Sequence, residues 1–98
     1  MKLRDRKLIP WISVVAPIFE AAFWKRAAGN PHIKDVLFGI MDALERNPRA
    51  VGKRHDGFEQ PELWYYQSPP VTRVPRFYIL YEINEDKGHV VLWSFSVA

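Results

Sequence analysis

The run Val74-Pro-Arg-Phe-Tyr-Ile-Leu-Tyr-Glu-Ile83, then Asn84-Glu-Asp-Lys-Gly88, then His89-Val-Val-Leu-Trp-Ser-Phe-Ser-Val97 decides how this chain folds. β-branched and aromatic residues dominate both flanks, and the middle is a polar five-residue turn, so the segment reads as two strands joined in a hairpin. In the first strand Phe77, Ile79, Tyr81 and Ile83 alternate with Arg76, Tyr78, Leu80 and Glu82. A period of two puts the first set on one face, where it should pack on helices, and the second set on the other. The last strand is apolar at both phases, as expected of a central strand flanked on both edges.

Working outward, Leu63-Trp-Tyr-Tyr66 reads as a short strand ahead of Pro69-Pro70, and Arg49 to Glu62 as a loop punctuated by Gly52, Gly57 and Pro61. Upstream lies the clearest helical pattern. Asn30-Pro31 offers an N-cap acceptor followed by proline at the first helical position. Ile33, Val36, Leu37, Ile40 and Leu44 then form one stripe, with Lys34, Asp35, Asp42, Glu45 and Arg46 elsewhere. Asn47-Pro48 ends that helix. Pro17 to Ala28 reads as a second helix closed by a left-handed Gly29, and the short Gly29-Asn30 link makes the two an antiparallel hairpin. Leu8 to Val15 reads as a strand. The fold class is therefore α+β in the order β-α-α-β-β-β, an antiparallel-rich small sheet packed on a two-helix hairpin.

Composition bounds the rest. The chain has 98 residues, 48% hydrophobic and 14% aromatic, which fits a single domain spanning 1–98. A domain of this size buries about 60–65% of its unfolded surface, so its core must be dense in large side chains. Fourteen Lys plus Arg against 11 Asp plus Glu give a net charge of +3, too mild to identify a partner unless the cations cluster. The absence of cysteine excludes disulfide scaffolds, Fe–S ligation and thiol catalysis and fits a cytoplasmic location. A basic lead, Met1 to Lys7, before the apolar run Leu8 to Phe19 resembles a secretory signal, but Pro10, Ser13, Pro17 and Glu20 interrupt it, and it is too short for a membrane span.

No cofactor or metal is expected, because His32, His55 and His89 sit in three different elements without helical pairing. No glycine-rich phosphate loop or nucleophile elbow is present. RNA fits better as a ligand. Lys53-Arg54-His55 lies beside the sheet, Arg73 and Arg76 frame the start of the long strand, and Tyr65, Tyr66 and Tyr78 offer ring faces for unpaired bases. Metal-free RNA cleavage needs a base for the 2′-hydroxyl and cations for the charge on phosphorus. His55 or Glu82 could supply the base, with Arg73 and Arg76 as clamps; the same residues also read as ordinary solvated charges and half-buried tyrosines. Trp11, Trp24 and Trp64 exceed what so small a core easily hides, so some should line a partner groove, a homodimer contact or the core's edges.

The helix end Asp42-Ala-Leu-Glu-Arg-Asn-Pro48 with Gly52 beyond it, the strand Arg73 to Ile83 and the acidic turn into Val90-Val-Leu-Trp93 resemble the RelE/ParE superfamily of type II toxin–antitoxin toxins. The resemblance covers most of the chain from Ile33 onward. It implies a cytoplasmic toxin, often tied to plasmid stabilisation and neutralised by an antitoxin. Such toxins either cleave mRNA on the ribosome or poison DNA gyrase without enzymatic chemistry. A third expectation is a degenerate homologue that only binds its antitoxin. No membrane is implied. Carried over by residue, Arg73 matches the first strand arginine and Tyr81 the closing tyrosine; Arg73, Arg76, Tyr78 and His55 become the candidate catalytic set, and Lys53, Arg54, Tyr65 and Tyr66 the RNA-binding set. Two departures stand out. Tyr78 replaces the second strand arginine, and the sequence stops at Ala98, where nuclease members usually carry further basic, histidine or tyrosine side chains.

Overall fold

The computed structural model describes residues 10–57 and 60–97. The N-terminal lead and the expected strand residues Leu8 and Ile9 lie outside them. The elements are β1 (Ile12–Val15), α1 (Pro17–Ala27), α2 (Pro31–Arg46), α3 (Pro48–Val51), β2 (Lys53–Arg54), β3 (Glu62–Gln67), β4 (Phe77–Asn84) and β5 (His89–Val97). The sheet order is β1-β5-β4-β3-β2, with β1 parallel to β5 and every other neighbour antiparallel. The α+β reading and the helical hairpin are both found, and β5 is central between β1 and β4.

Each helix begins as its sequence dictates. Pro17 and Pro31 occupy first turns, where a missing N–H costs nothing. Asn30 caps α2 by accepting from the His32 N–H at 3.1 Å. The α2 stripe Ile33, Leu37, Ile40 and Leu44 is buried on the sheet, with Val36 half-buried at its margin. On α1, Phe19 and Phe23 meet Phe95 of β5 edge-on at 5.7 and 5.6 Å between ring centroids, and Phe77 of β4 lies 5.1 Å from the same ring. Four phenylalanines thus form the centre of the joint between α1 and the sheet, a close aromatic geometry that adds to their burial.

Five details differ from the sequence reading. Gly29 is not left-handed; α1 instead tightens, with Gly29 N–H donating to Arg26 O and Asn30 N–H to Ala27 O, both three residues back. The expected loop from Arg49 contains a helical turn, α3, and a two-residue strand, β2. The long strand begins at Phe77 rather than Val74, because Val71 to Val74 closes its own small turn. In β5 the ladder skips a residue: Leu80 faces Ser94 while Tyr81 faces Leu92, which leaves Trp93 as a bulge. The bulge changes the phase of the strand, so Val90, Leu92 and Phe95 all reach the buried face while Trp93 stays 41% exposed. Finally, Trp11 is buried and Trp64 half-buried, so of the three tryptophans singled out only Trp24 stands in solvent.

Gly39 lies on the outer side of α2, where an added methyl group would meet no atom within 4 Å. Gly39→Ala should therefore stabilise the fold by about 0.5–1 kcal/mol through helix propensity alone. A thermal melt should show a midpoint raised by about 2–8 °C; an unchanged or lower midpoint would mean that this position touches something.

Candidate nucleic-acid interface

Because α1 and α2 cover only one side of the sheet, the alternation in each strand sorts residues between a dry face and an open one. Phe77, Ile79 and Tyr81 are 0% exposed on the dry side. The register carries the open side across the strands: Lys53 of β2 stands opposite Tyr65 of β3, Tyr65 opposite Leu80 of β4, and Leu80 opposite Ser94 of β5. The next row runs Gln67, Tyr78, Ser96. Tyr65 and Tyr78 are 40% and 37% exposed, and the Gln67 Nε2 amide donates to the Tyr78 hydroxyl at 3.4 Å. Toward the other end, the Trp93 indole N–H donates to the Glu82 carboxylate at 2.9 Å. The open face is a platform of two phenols and an indole, with Lys53 at one margin and Arg76 exposed two residues before Tyr78.

The residues singled out from sequence do not all share this platform. Lys53, Tyr65 and Tyr78 do. Tyr66 stands opposite Ile79 in the dry row, half-buried, and burial pushes its phenol pKa up. Arg54 pairs with Trp64, which stands opposite the buried Tyr81, so Lys53 and Arg54 diverge to opposite faces. His55 donates its backbone N–H to Leu63 O at 2.8 Å, and its Nδ1 lies 3.0 Å from Asp56 O. Leu63 and Gln67 are four residues apart on β3, so His55 stands about 13 Å along the strand direction from the Tyr78 row. Glu82 is equally remote, four residues from Tyr78 on β4. Arg73 occupies the turn before β4 with φ 69°, an uncommon conformation for a side-chain-bearing residue. Its carbonyl accepts from the Asn30 amide at 2.6 Å, which ties this turn to the start of α2.

Gln67 could have been found by extending the alternation Leu63, Tyr65. Trp93 could not, since its exposure depends on the bulge. Among the described residues no group of three or more His, Cys, Asp or Glu could hold a metal ion, and no helix is long and apolar enough to cross a membrane.

Tyr81 serves the platform from behind. Its hydroxyl donates to Pro48 O at 2.7 Å, and its pKa is pushed up to about 12, first by burial and also by the nearby Glu62 charge. Gly52 is required beside it, because a Cβ there would stand 2.6 Å from the Tyr81 hydroxyl and collide with the Tyr65 carbonyl. A second clasp holds α3. Arg49 grips Glu62 through two hydrogen bonds of 2.9 Å each, reaches Glu85 at 3.0 Å and lies over the Trp11 ring at 5.7 Å. Trp64 adds an indole N–H to Glu62 at 2.8 Å. The Arg49 hydrogen bond, the Trp64 hydrogen bond and the positive charges of Arg49 and Arg54 outweigh burial and hold the Glu62 carboxyl below its ordinary pKa.

Comparison with known proteins adds one point. No family model matches the chain, and no curated protein matches it in sequence. A chain in the crystal structure of the toxin–antitoxin complex RelBE2 from Mycobacterium tuberculosis aligns with a TM-score of 0.68 and 19% identity, covering 96% of this chain and 98% of that one. The fold is RelE-like. With identity this low, what is shared is the arrangement of elements, and the RelE-like sheet therefore has to be judged by its own side chains.

Tyr81→Phe leaves the buried Pro48 carbonyl without its donor and should cost about 1–2 kcal/mol, read as a lower denaturant midpoint. Unchanged stability would show that this hydrogen bond does not hold α3. For Glu62, a carboxyl with a depressed folded pKa contributes stability above its unfolded value, and that contribution is lost as pH falls through the folded value. Glu62→Gln should therefore be less stable than the parent at pH 7 and lose less stability between pH 5 and 3. Parallel pH profiles would sink the clasp.

Proposed function

We propose that this chain is the toxin of a type II toxin–antitoxin pair, that its antitoxin is a separate protein, and that it acts in the cytoplasm on mRNA held across the open face of the sheet. The observation that carries this reading is the exposure of Tyr65, Tyr78 and Trp93 together on the face the helices leave bare, with Lys53 at its margin. Ring faces stack on unpaired bases whatever their sequence, and cations at the margin bind the phosphates. The RelE-like fold and the RelBE2 complex in which it is seen support the toxin–antitoxin assignment.

As an endoribonuclease, the chain would bind mRNA in the ribosomal A site and place one phosphate between Arg76, Arg73 and Tyr78. His55 and Glu82 lie too far along the strands to reach that phosphate together with Tyr78. The proposed chemistry therefore relies on in-line positioning of the 2′-hydroxyl and on neutralising charge at phosphorus rather than on a histidine base. In this reading His55 contacts RNA at the opposite end of the platform. The same separation favours a second reading, a non-enzymatic toxin that binds DNA gyrase.

Inducing the chain alone and mapping RNA ends tests both. The first reading expects growth arrest with new 5′ ends inside coding regions. Arg76→Ala or Tyr78→Phe should then reduce cleavage by about 10²–10³-fold while leaving the melting temperature close to the parent's, since Arg76 is exposed and the second change keeps the ring. Arrest with intact mRNA and a DNA-damage response would establish the gyrase reading instead. No growth defect would remove both and leave a homologue that only binds its antitoxin.

A further inference from the structure

The outer side of the helical hairpin carries side chains that neither the core nor the open sheet face uses. Phe38 of α2 is 53% exposed and Trp24 of α1 is 48% exposed. They belong to one patch. Lys34, one turn before Phe38 on α2, reaches across the hairpin and sets its ammonium 5.9 Å from the centre of the Trp24 ring. A cleft of about 270 Å³ opens at the turn end of the patch, lined by Trp24, Ala27, Ala28, Pro31 and Lys34. Two large rings beside such a cleft, rimmed by charge, form the kind of apolar surface that marks an interaction site.

The charges around Phe38 have an order of their own. Lys34 lies four residues before it and Asp42 four residues after, so all three point within about 40° of one direction on the helix. Asp42 pairs with Arg46 at 2.9 Å, but both side chains are largely exposed, 59% and 78%, and a solvated pair of this kind is weak. The exposed charges of α2, namely Lys34, Asp35, Asp42 and Arg46, cancel, so two copies of this helix can approach despite the net charge of +3 on the chain. An antiparallel pair of α2 helices crossing at Phe38 sets each residue before it opposite the residue equally far after it in the second copy. Lys34 then faces Asp42 of the second copy, and Asp42 faces its Lys34. The two Phe38 rings meet at the axis, and the last turn of the second α2 closes over the cleft beside Pro31.

We propose that this chain forms a two-fold homodimer through the outer stripe of α2, with Phe38 at the axis and reciprocal Lys34–Asp42 ion pairs on either side. The proposal goes beyond the toxin reading and does not rest on it. An unrelated partner helix has no need of opposite charges placed symmetrically about one aromatic residue; a second copy does. With 16 residues, α2 is about 24 Å long and offers less than the ~800 Å² per partner of a standard interface. The dimer is therefore weak and forms at micromolar concentrations or above. It leaves both open sheet faces on the outside, since the helices that meet lie on the covered side of each sheet.

Sedimentation velocity on the full chain, from about 5 to 500 μM, should show a monomer–dimer equilibrium with a Kd of about 10–200 μM. Over the same range, signals of the ¹⁵N-labelled chain should move within residues 31–46 and at the Trp24 indole, and stay fixed on β3 and β4. Phe38→Asp should weaken association at least tenfold. Lys34→Glu and Asp42→Lys should each do the same, because each sets like charges across the axis. All three positions are exposed, so the variants should melt close to the parent. Mixing the two charge variants should restore a dimer, since one copy then presents two acids and the other two ammonium groups at positions 34 and 42. The double variant Lys34→Glu/Asp42→Lys should associate like the parent. A monomer at every concentration, a dimer indifferent to Phe38→Asp, or no association in the mixture and the double variant would each overturn the proposal. So would a dimer whose shifts fall on Ile12–Val15, the exposed outer strand β1, instead of α2.

Discussion

Everything in this molecule depends on the one-sided burial of β4. Its inward residues Phe77, Ile79, Tyr81 and Ile83 have no appreciable contact with water, and its outward residues Tyr78, Leu80, Glu82 and Asn84 keep theirs. A period-two strand that is apolar at one phase needs only one covering layer, and α1 and α2 supply it. The hydrophobic demand of a 98-residue chain is met on that side alone. The opposite side is therefore free to carry rings, amides and a cation whose polar atoms remain hydrated.

The covered layer also determines how rigid the open one is. Tyr81 bridges the sheet to the corner between α2 and α3, Gly52 lets the chain pass within contact distance of that hydroxyl, and the Arg49–Glu62 clasp fastens α3 to β3. These interactions lie directly behind Tyr65 and Lys53. They brace the strand that carries Tyr65 from its covered side, as a rigid scaffold under a set of outward side chains requires. The Tyr81 phenol is buried on the covered side and donates to Pro48 O, so the residue that closes the family-like motif acts here as a support.

The two open features of the sheet differ in chemistry. Its face offers aromatic surface, and its free β5 edge offers backbone groups. They meet at Ser94 and Ser96, small residues that crowd neither. The bulge at Trp93 joins them physically. It sends one indole to the face while keeping Phe95 in the core under α1.

Local sequence determined a good deal here. The alternation from Phe77 to Ile83, the α2 stripe with its Asn30-Pro31 start, the polar turn before His89 and the one-sided packing of the sheet all follow from neighbours within a few residues of each other, where periodicity and capping chemistry act directly. From the same pattern Tyr78 could be placed on the open face. Only the tertiary structure decided that β1 lies parallel to β5, that β5 skips a residue at Trp93, that Lys53 and Arg54 part to opposite faces, and that His55 stands far from Tyr78. Each of these depends on which residues distant in sequence share a ladder, and a ladder's register is set by the whole core rather than by any local run of side chains.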